Sequence, residues 1–170
     1  SGATNSAFLA RLVHDGVSIG RGNDSALFLS GSQATPLART GSLAGGTGNA
    51  LFSRLWDPVM SGSGTVSFLA SLQARTGTPR VTAANDTGLW IVPPGFPPRL
   101  VAREGDPAPG IGDGLTARFT RFLALGTDPH ETDPDRQTTL FLARLVNTRG
   151  LVTSASNTGL WAASAAPDSP

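Results

Sequence analysis

A pentapeptide that occurs three times constrains this chain more than any other feature. Phe-Leu-Ala-x-Leu stands at Phe8–Leu12, Phe68–Leu72 and Phe141–Leu145. Each copy is followed by a second recurring segment: Asn23-Asp24-Ser25-Ala26-Leu27-Phe28, then Asn85-Asp86-Thr87-Gly88-Leu89-Trp90, then Ser156-Asn157-Thr158-Gly159-Leu160-Trp161. The leading Phe and the closing aromatic are 20, 22 and 20 residues apart. A third segment occurs twice, as Pro36–Gly41 and Arg99–Asp106, and a fourth twice, as Leu51–Trp56 and Phe119–Leu125. Short motifs in a fixed order at near-constant spacing mark an internal repeat. The leading Phe residues step by 60 and then 73 positions, and the longer step holds the polar stretch Gly126–Asp135.

Each motif reads as a strand. Phe8, Ala10 and Leu12 fall on one face and Leu9 and Arg11 on the other, and the alternation recurs at Phe68 and Phe141. The segments are short, aromatic or branched, and bounded by Gly, Asn, Asp or Pro. Asn85-Asp86-Thr87-Gly88 carries turn chemistry, and the prolines of Val92–Pro98 and Asp106–Gly110 stiffen two further turns. Gly 21 and Pro 13 together make one residue in five, which rules out a helix bundle. Arg118–Leu125 is the one near-helical stretch, and its place in the repeat makes it a strand.

The expected fold is therefore all-β: tandem four-stranded antiparallel blade-like repeats, β-propeller-like but an incomplete ring, with a β-sandwich as the alternative. The 170 residues read as one repeat domain, 1–170. Its units span about 7–60 and 64–125, with a half-unit at 138–163, an acidic insertion at 126–137 and flexible ends at 1–6 and 164–170. Two and a half units do not close a propeller. A longer array, closure by oligomerisation and a self-contained sandwich are the three ways out. The final hairpin, Phe141 to Trp161, is expected to present an unpaired edge that takes a second chain. The repeated aromatics Phe8, Phe68, Phe141, Phe28, Trp90 and Trp161 are expected to be buried at equivalent positions.

Composition narrows the function classes. All 13 basic residues are Arg, and with abundant Ala, Gly and Pro this fits the codon usage of a GC-rich genome. A net charge of +1 offers no basic face for nucleic acid. The absence of Cys excludes disulfides, thiolate metal sites and c-type haem attachment. No apolar run reaches the length of a membrane helix. The chain opens on Ser1 without a leader-like segment, as expected of a mature form or an excised stretch.

The segment Leu100–Gly110, preceded by Gly88-Leu89-Trp90, resembles the bacterial choice-of-anchor tandem-repeat surface proteins, whose repeats carry Asn-x-x-Gly-x-x-Ala-Phe. Ser61, Gly64, Ser67 and Phe68 occupy those motif positions in the middle unit, with Ser in place of the family's Asn and Ala. The first unit keeps Ala7-Phe8 and the third keeps only Phe141. The resemblance implies an exported, surface-anchored or extracellular repeat protein without a known enzymatic role, and it supplies no catalytic residues.

Chemistry-bearing residues are few. Glu104 and Asp106, with Asp113, are one conceivable calcium set, but the first unit has Thr40 and Ser42 there, so a turn is the plainer reading. Asp128, Glu131, Asp133 and Asp135 form the remaining calcium candidate, against the simpler reading of a solvated insertion. No other cofactor is expected. Only His14 and His130 exist to serve a hydrolytic triad, and no Gly-x-Ser-x-Gly elbow is present. Gly41–Gly48 has no Lys for a phosphate loop. Trp56, Trp90 and Trp161 raise a sugar-binding reading, though recurrence of Trp90 and Trp161 at one repeat position favours core packing. The expected function is thus a non-enzymatic extracellular structural or adhesive module that forms a homo-oligomer or filament. The alternative is a carbohydrate-binding, lectin-like module that takes a glycan.

Overall fold

The computed structural model describes residues 5–111, 117–133, 136–146 and 152–164. Among them are eleven strands and no helix. Strands β1 (Ala7–Arg11), β2 (Ser25–Leu29) and β3 (Thr35–Arg39) form one sheet in the order β1-β2-β3. Strands β4 (Phe52–Leu55), β6 (Val66–Leu72), β7 (Thr87–Val92) and β8 (Arg99–Arg103) form the second, with the short β5 (Val59–Met60) also paired to β6. Strands β9 (Arg118–Thr127), β10 (Thr138–Val146) and β11 (Thr158–Ser164) form the third, in the order β11-β10-β9. All pairings are antiparallel and no sheet is closed.

The sequence repeat reappears as a repeat of contacts. Phe8 lies opposite Phe28, Phe68 opposite Trp90, and Phe141 opposite Trp161. The three pairs stack alike, with ring centroids 5.7, 5.9 and 5.9 Å apart and planes inclined by 21°, 17° and 19°. The next residue along makes a leucine pair on the opposite face: Leu9 with Leu27, Leu69 with Leu89, Leu142 with Leu160. Because side chains alternate along a strand, each sheet has an aromatic face and a leucine face.

The turn before each second strand is also shared. Asn23 and Asn85 accept the backbone N–H three residues back through Oδ1, at 2.7 Å in both cases, and Ser156 does so through Oγ at 3.0 Å. Side-chain acceptors of this kind fix a turn that the backbone alone holds weakly. The loop after each third strand repeats as well. Gly41 N–H donates to Phe52 O at 2.7 Å and Gly105 N–H to Phe119 O at 2.8 Å, with φ of 79° and 87° at the two glycines. That positive φ explains a glycine at both positions.

Two apolar clusters join the three sheets. In the first, Leu27, Leu9 and Leu29 of the first sheet meet Phe52, Phe68, Trp90 and Val66 of the second. In the second, Leu89 and Leu69 of the second sheet meet Phe119, Phe141 and Trp161 of the third. The leucine face of each sheet therefore packs on the aromatic face of the next. Phe52 closes on Trp90 edge-on at 5.0 Å and 70°, and Phe119 closes on Trp161 at 5.0 Å and 80°.

Three expectations need correction. The fourth strand of each sequence unit does not complete its own sheet: β4 pairs with β6 and β9 with β10. β9 returns directly into β10, as consecutive strands most readily do, and β4 reaches β6 by way of the short β5, which pairs with β6 as well. The final hairpin is consequently covered on one side by β9 and leaves one edge, β11, which pairs with β10 alone among the described residues. Burial is also unequal. Phe68 and Trp90 are fully buried and Phe141 nearly so, but Phe28 and Trp161 are only half-buried and Phe8 is 39% exposed. No sheet among the described residues lies against the aromatic face that carries Phe8. Lastly, the insertion is shorter than 126–137. Gly126 and Thr127 end β9, and Gln137 is fully buried, its Nε2 donating to Thr127 Oγ1.

Candidate functional site

The departure from the repeat that gathers chemistry is at Glu104. Its counterpart Thr40 follows β3, as Glu104 follows β8, and both backbones bond the first residue of the neighbouring strand. Thr40 N–H donates to Ser25 O, and Glu104 N–H donates to Thr87 O, each at 2.9 Å. The Thr40 hydroxyl folds back on the backbone of Ser25. Replacing it with a carboxyl places an acid in the same buried position, where it meets Asp86 and Thr87. Burial, and then the neighbouring Asp86 charge, push the Glu104 carboxyl up to about 7.

This pair stands in a cleft of about 630 Å³ between the second sheet and β9. Trp56, just past β4, lines it together with Arg121 and Phe122 of β9. Trp56 is half-buried, and the Arg54 guanidinium lies 5.2 Å from its ring centroid. The cleft thus combines an aromatic surface, two adjacent carboxyl groups and a guanidinium. An aromatic ring offers a stacking surface, and carboxyl and guanidinium groups offer paired hydrogen-bond acceptors and donors.

Asp106 does not join Glu104. Its Oδ2 accepts the backbone N–H of Arg103 at 2.8 Å, which closes the turn at Gly105. Arg103 is buried and donates from Nε to Asn85 O at 2.5 Å, as Arg39 does to Asn23 O at 2.7 Å. Burial lowers the Arg103 pKa, opposed by the charges of Asp106 and Asp86. Asp113, the third member of that conceivable set, lies outside the described residues.

Three of the four calcium candidates of the insertion, Asp128, Glu131 and Asp133, make local contacts. Asp128 Oδ1 accepts His130 N–H, Glu131 Oε1 accepts Asp133 N–H, and Asp133 pairs with Arg136 at 3.5 Å. Asp135 lies outside the described residues. Among the described residues no three acids or histidines come together as a metal site. His14 sits apart, its Nε2 3.0 Å from Asp24 Oδ2, and Arg11 holds the same oxygen at 3.2 Å. The hydrogen bond to His14, then the Arg11 charge, keep the Asp24 carboxyl below its ordinary range.

Two of the three tryptophans are committed to packing. Trp90 Nε1–H donates to Gly45 O at 3.0 Å and Trp161 Nε1–H to Pro109 O at 3.1 Å. Both acceptors lie in the loop that follows the third strand of the preceding unit. Trp56 is the tryptophan that lines the cleft.

The sequence matches a family of unknown function, DUF7453, over residues 1–168, and the chain belongs to that family. No match is found among curated proteins or among solved structures. No helix among the described residues is long and apolar enough to cross a membrane.

Proposed function

We propose that this chain is a non-enzymatic structural or adhesive repeat module of a bacterial cell surface or extracellular matrix. In this reading its sheets are blade-like units of an incomplete propeller, and copies associate through the two incomplete outer sheets. The observation that carries it is the pairing order. The middle sheet has the order β4-β6-β7-β8, whereas among the described residues the first sheet shows no counterpart of β4 and the third no counterpart of β8. Among the described residues both outer sheets therefore present an edge and a face that the middle sheet keeps covered. The resemblance to choice-of-anchor repeat proteins supports the surface location. Sedimentation of the 170-residue chain across a dilution series tests the reading. Mass above the monomer that falls on dilution is expected, and a monomer at every concentration would contradict it.

A second reading, glycan binding, is favoured by the cleft at Trp56. Its occupant would stack on the indole and bond to Glu104, Asp86 and Arg121. A glycan array probed with the wild-type chain and with Trp56→Ala separates the readings. Binding that disappears in Trp56→Ala would support the lectin-like role, and no binding would leave the structural role alone.

A further inference from the structure

The two outermost faces of the stack are the two halves of an interface that the chain already makes twice. Inside the molecule, the Leu9–Leu27 face meets the Phe68–Trp90 face, and the Leu69–Leu89 face meets the Phe141–Trp161 face. At one end the Phe8–Phe28 pair is left over, and at the other the Leu142–Leu160 pair. Leu27, Leu89 and Leu160 hold one repeat position. The first two are fully buried and Leu160 is 66% exposed. Leu140 and Val146 are exposed on the same face of β10, by strand alternation.

We propose that the aromatic face of one copy docks on the leucine face of a second copy, head to tail. This rests on the self-association reading above and names its surface. Three observations favour a second copy over another occupant. Both complementary faces belong to one chain, so identical copies supply each other. The geometry has two precedents within the molecule. The aromatic face is also adapted to a neighbour that brings no loop. Trp90 and Trp161 each need a carbonyl from the preceding unit for the indole N–H. The first sheet carries Phe28 at that position, which has no donor to satisfy. The glycine that makes room for the indole changes in step. A Cβ at Gly88 would come within 2.8 Å of Trp90 and one at Gly159 within 2.4 Å of Trp161, and the first sheet has Ala26 there.

A head-to-tail contact is heterologous, so it propagates or closes a ring. Phe8→Glu spoils only the aromatic face and Leu160→Glu only the leucine face. The intact fold of each is checked by near-ultraviolet circular dichroism. Each variant alone is expected to weaken association by about 10–100-fold, as loss of one buried apolar side chain implies. Mixed in equal amounts, they should form a pair and nothing larger, because one good face remains on each. Ala162→Pro serves as the edge control. Asn157 O bonds to Leu145 N, so alternation turns the backbone of residues 158, 160 and 162 to the free side of β11. Association that survives both face variants and is lost in Ala162→Pro would overturn face docking while leaving self-association through edges intact. Association lost in Phe8→Glu but kept in Leu160→Glu would mean two aromatic faces meet, and would overturn the head-to-tail order. A wild-type monomer up to millimolar concentration would overturn both readings.

Discussion

Leu160 lies across its strand pair from Leu142 as Leu27 lies across from Leu9, yet Leu27 is fully buried and Leu160 is two-thirds exposed. The difference is not in the residues or their register. It is in the neighbouring layer: the leucine face of the first sheet is covered by the second, and that of the third sheet has no described sheet beyond it. Position in the stack, rather than local sequence, decides the environment of each repeat residue.

The aromatic triads should therefore carry unequal shares of stability. Trp90 is fully buried against Phe52 and Phe68, so Trp90→Ala is expected to cost about 3–5 kcal/mol. Phe8 has only Phe28 as an aromatic neighbour and is partly solvated, so Phe8→Ala should cost roughly 1–2 kcal/mol. Urea unfolding of the two variants at a concentration where the wild type is monomeric checks the order. Equal losses would contradict the unequal burial.

Gly88 and Trp90 should be coupled. A methyl group at 88 meets atoms of the packed Trp90 ring at 2.8 and 2.9 Å, and the Leu100 side chain at 3.1 Å. Gly88→Ala is expected to destabilise by about 1–3 kcal/mol through overpacking. In Gly88→Ala/Trp90→Phe, which reproduces Ala26 and Phe28 of the first sheet, the methyl group has room. The double variant should be more stable than the sum of the single losses by about 0.5–3 kcal/mol, measured as a double-mutant cycle. Additive losses would mean that the first sheet is not a guide to the second.

Much of this arrangement is legible in the sequence. The order of motifs gives the strands, the aromatic at each second strand gives the cross-strand partner of each leading Phe, and Asn23, Asn85 and Ser156 mark the turns. Sheet membership is not legible, because β4 carries the same kind of strand sequence whether it pairs back to β3 or on to β6. Exposure of Phe8 is not legible either, since its pentapeptide is the same as the buried copy at Phe141 apart from context. The carboxyl pair is hidden because Asp86 and Glu104 are far apart in sequence and meet only across β7 and β8. The one signal that points to it is the change from Thr40 to Glu104 at a shared repeat position, which argues against a repeated metal site and, taken alone, does not mark a site of its own.

Glu104 should make stability fall with rising pH. In the fold it keeps its proton up to about 7, against an ordinary value of 4.5. Between those values the folded chain binds a proton that the unfolded chain releases, so each increase in pH favours unfolding. The urea midpoint of the wild type is expected to decline between about pH 5 and pH 8 and to level off above the folded value. Glu104→Gln removes the charge and keeps a hydrogen-bonding group, so its midpoint should be flat over that interval and higher than wild type at the alkaline end. A parallel decline in the variant would assign the slope to other groups.

The Trp161 indole should tie the third sheet to the loop of the second unit. Trp161→Phe keeps most of the stacking on Phe141 but leaves Pro109 O without that donor. The expected loss is about 0.5–1.5 kcal/mol, read from thermal unfolding. No loss would mean that solvent replaces the indole without penalty.

Methyl and aromatic nuclear magnetic resonance of the 170-residue chain, followed as a function of concentration, tests the central claim most directly. If copies join by the interface that already stacks the sheets, the Leu142 and Leu160 methyl signals and the Phe8 ring signals shift together on concentration. Leu27, Leu89 and Phe68, already sealed inside, stay fixed. Shifts confined to the β11 backbone, or signals from Leu160 and Phe8 that do not move while the particle mass rises, would contradict it.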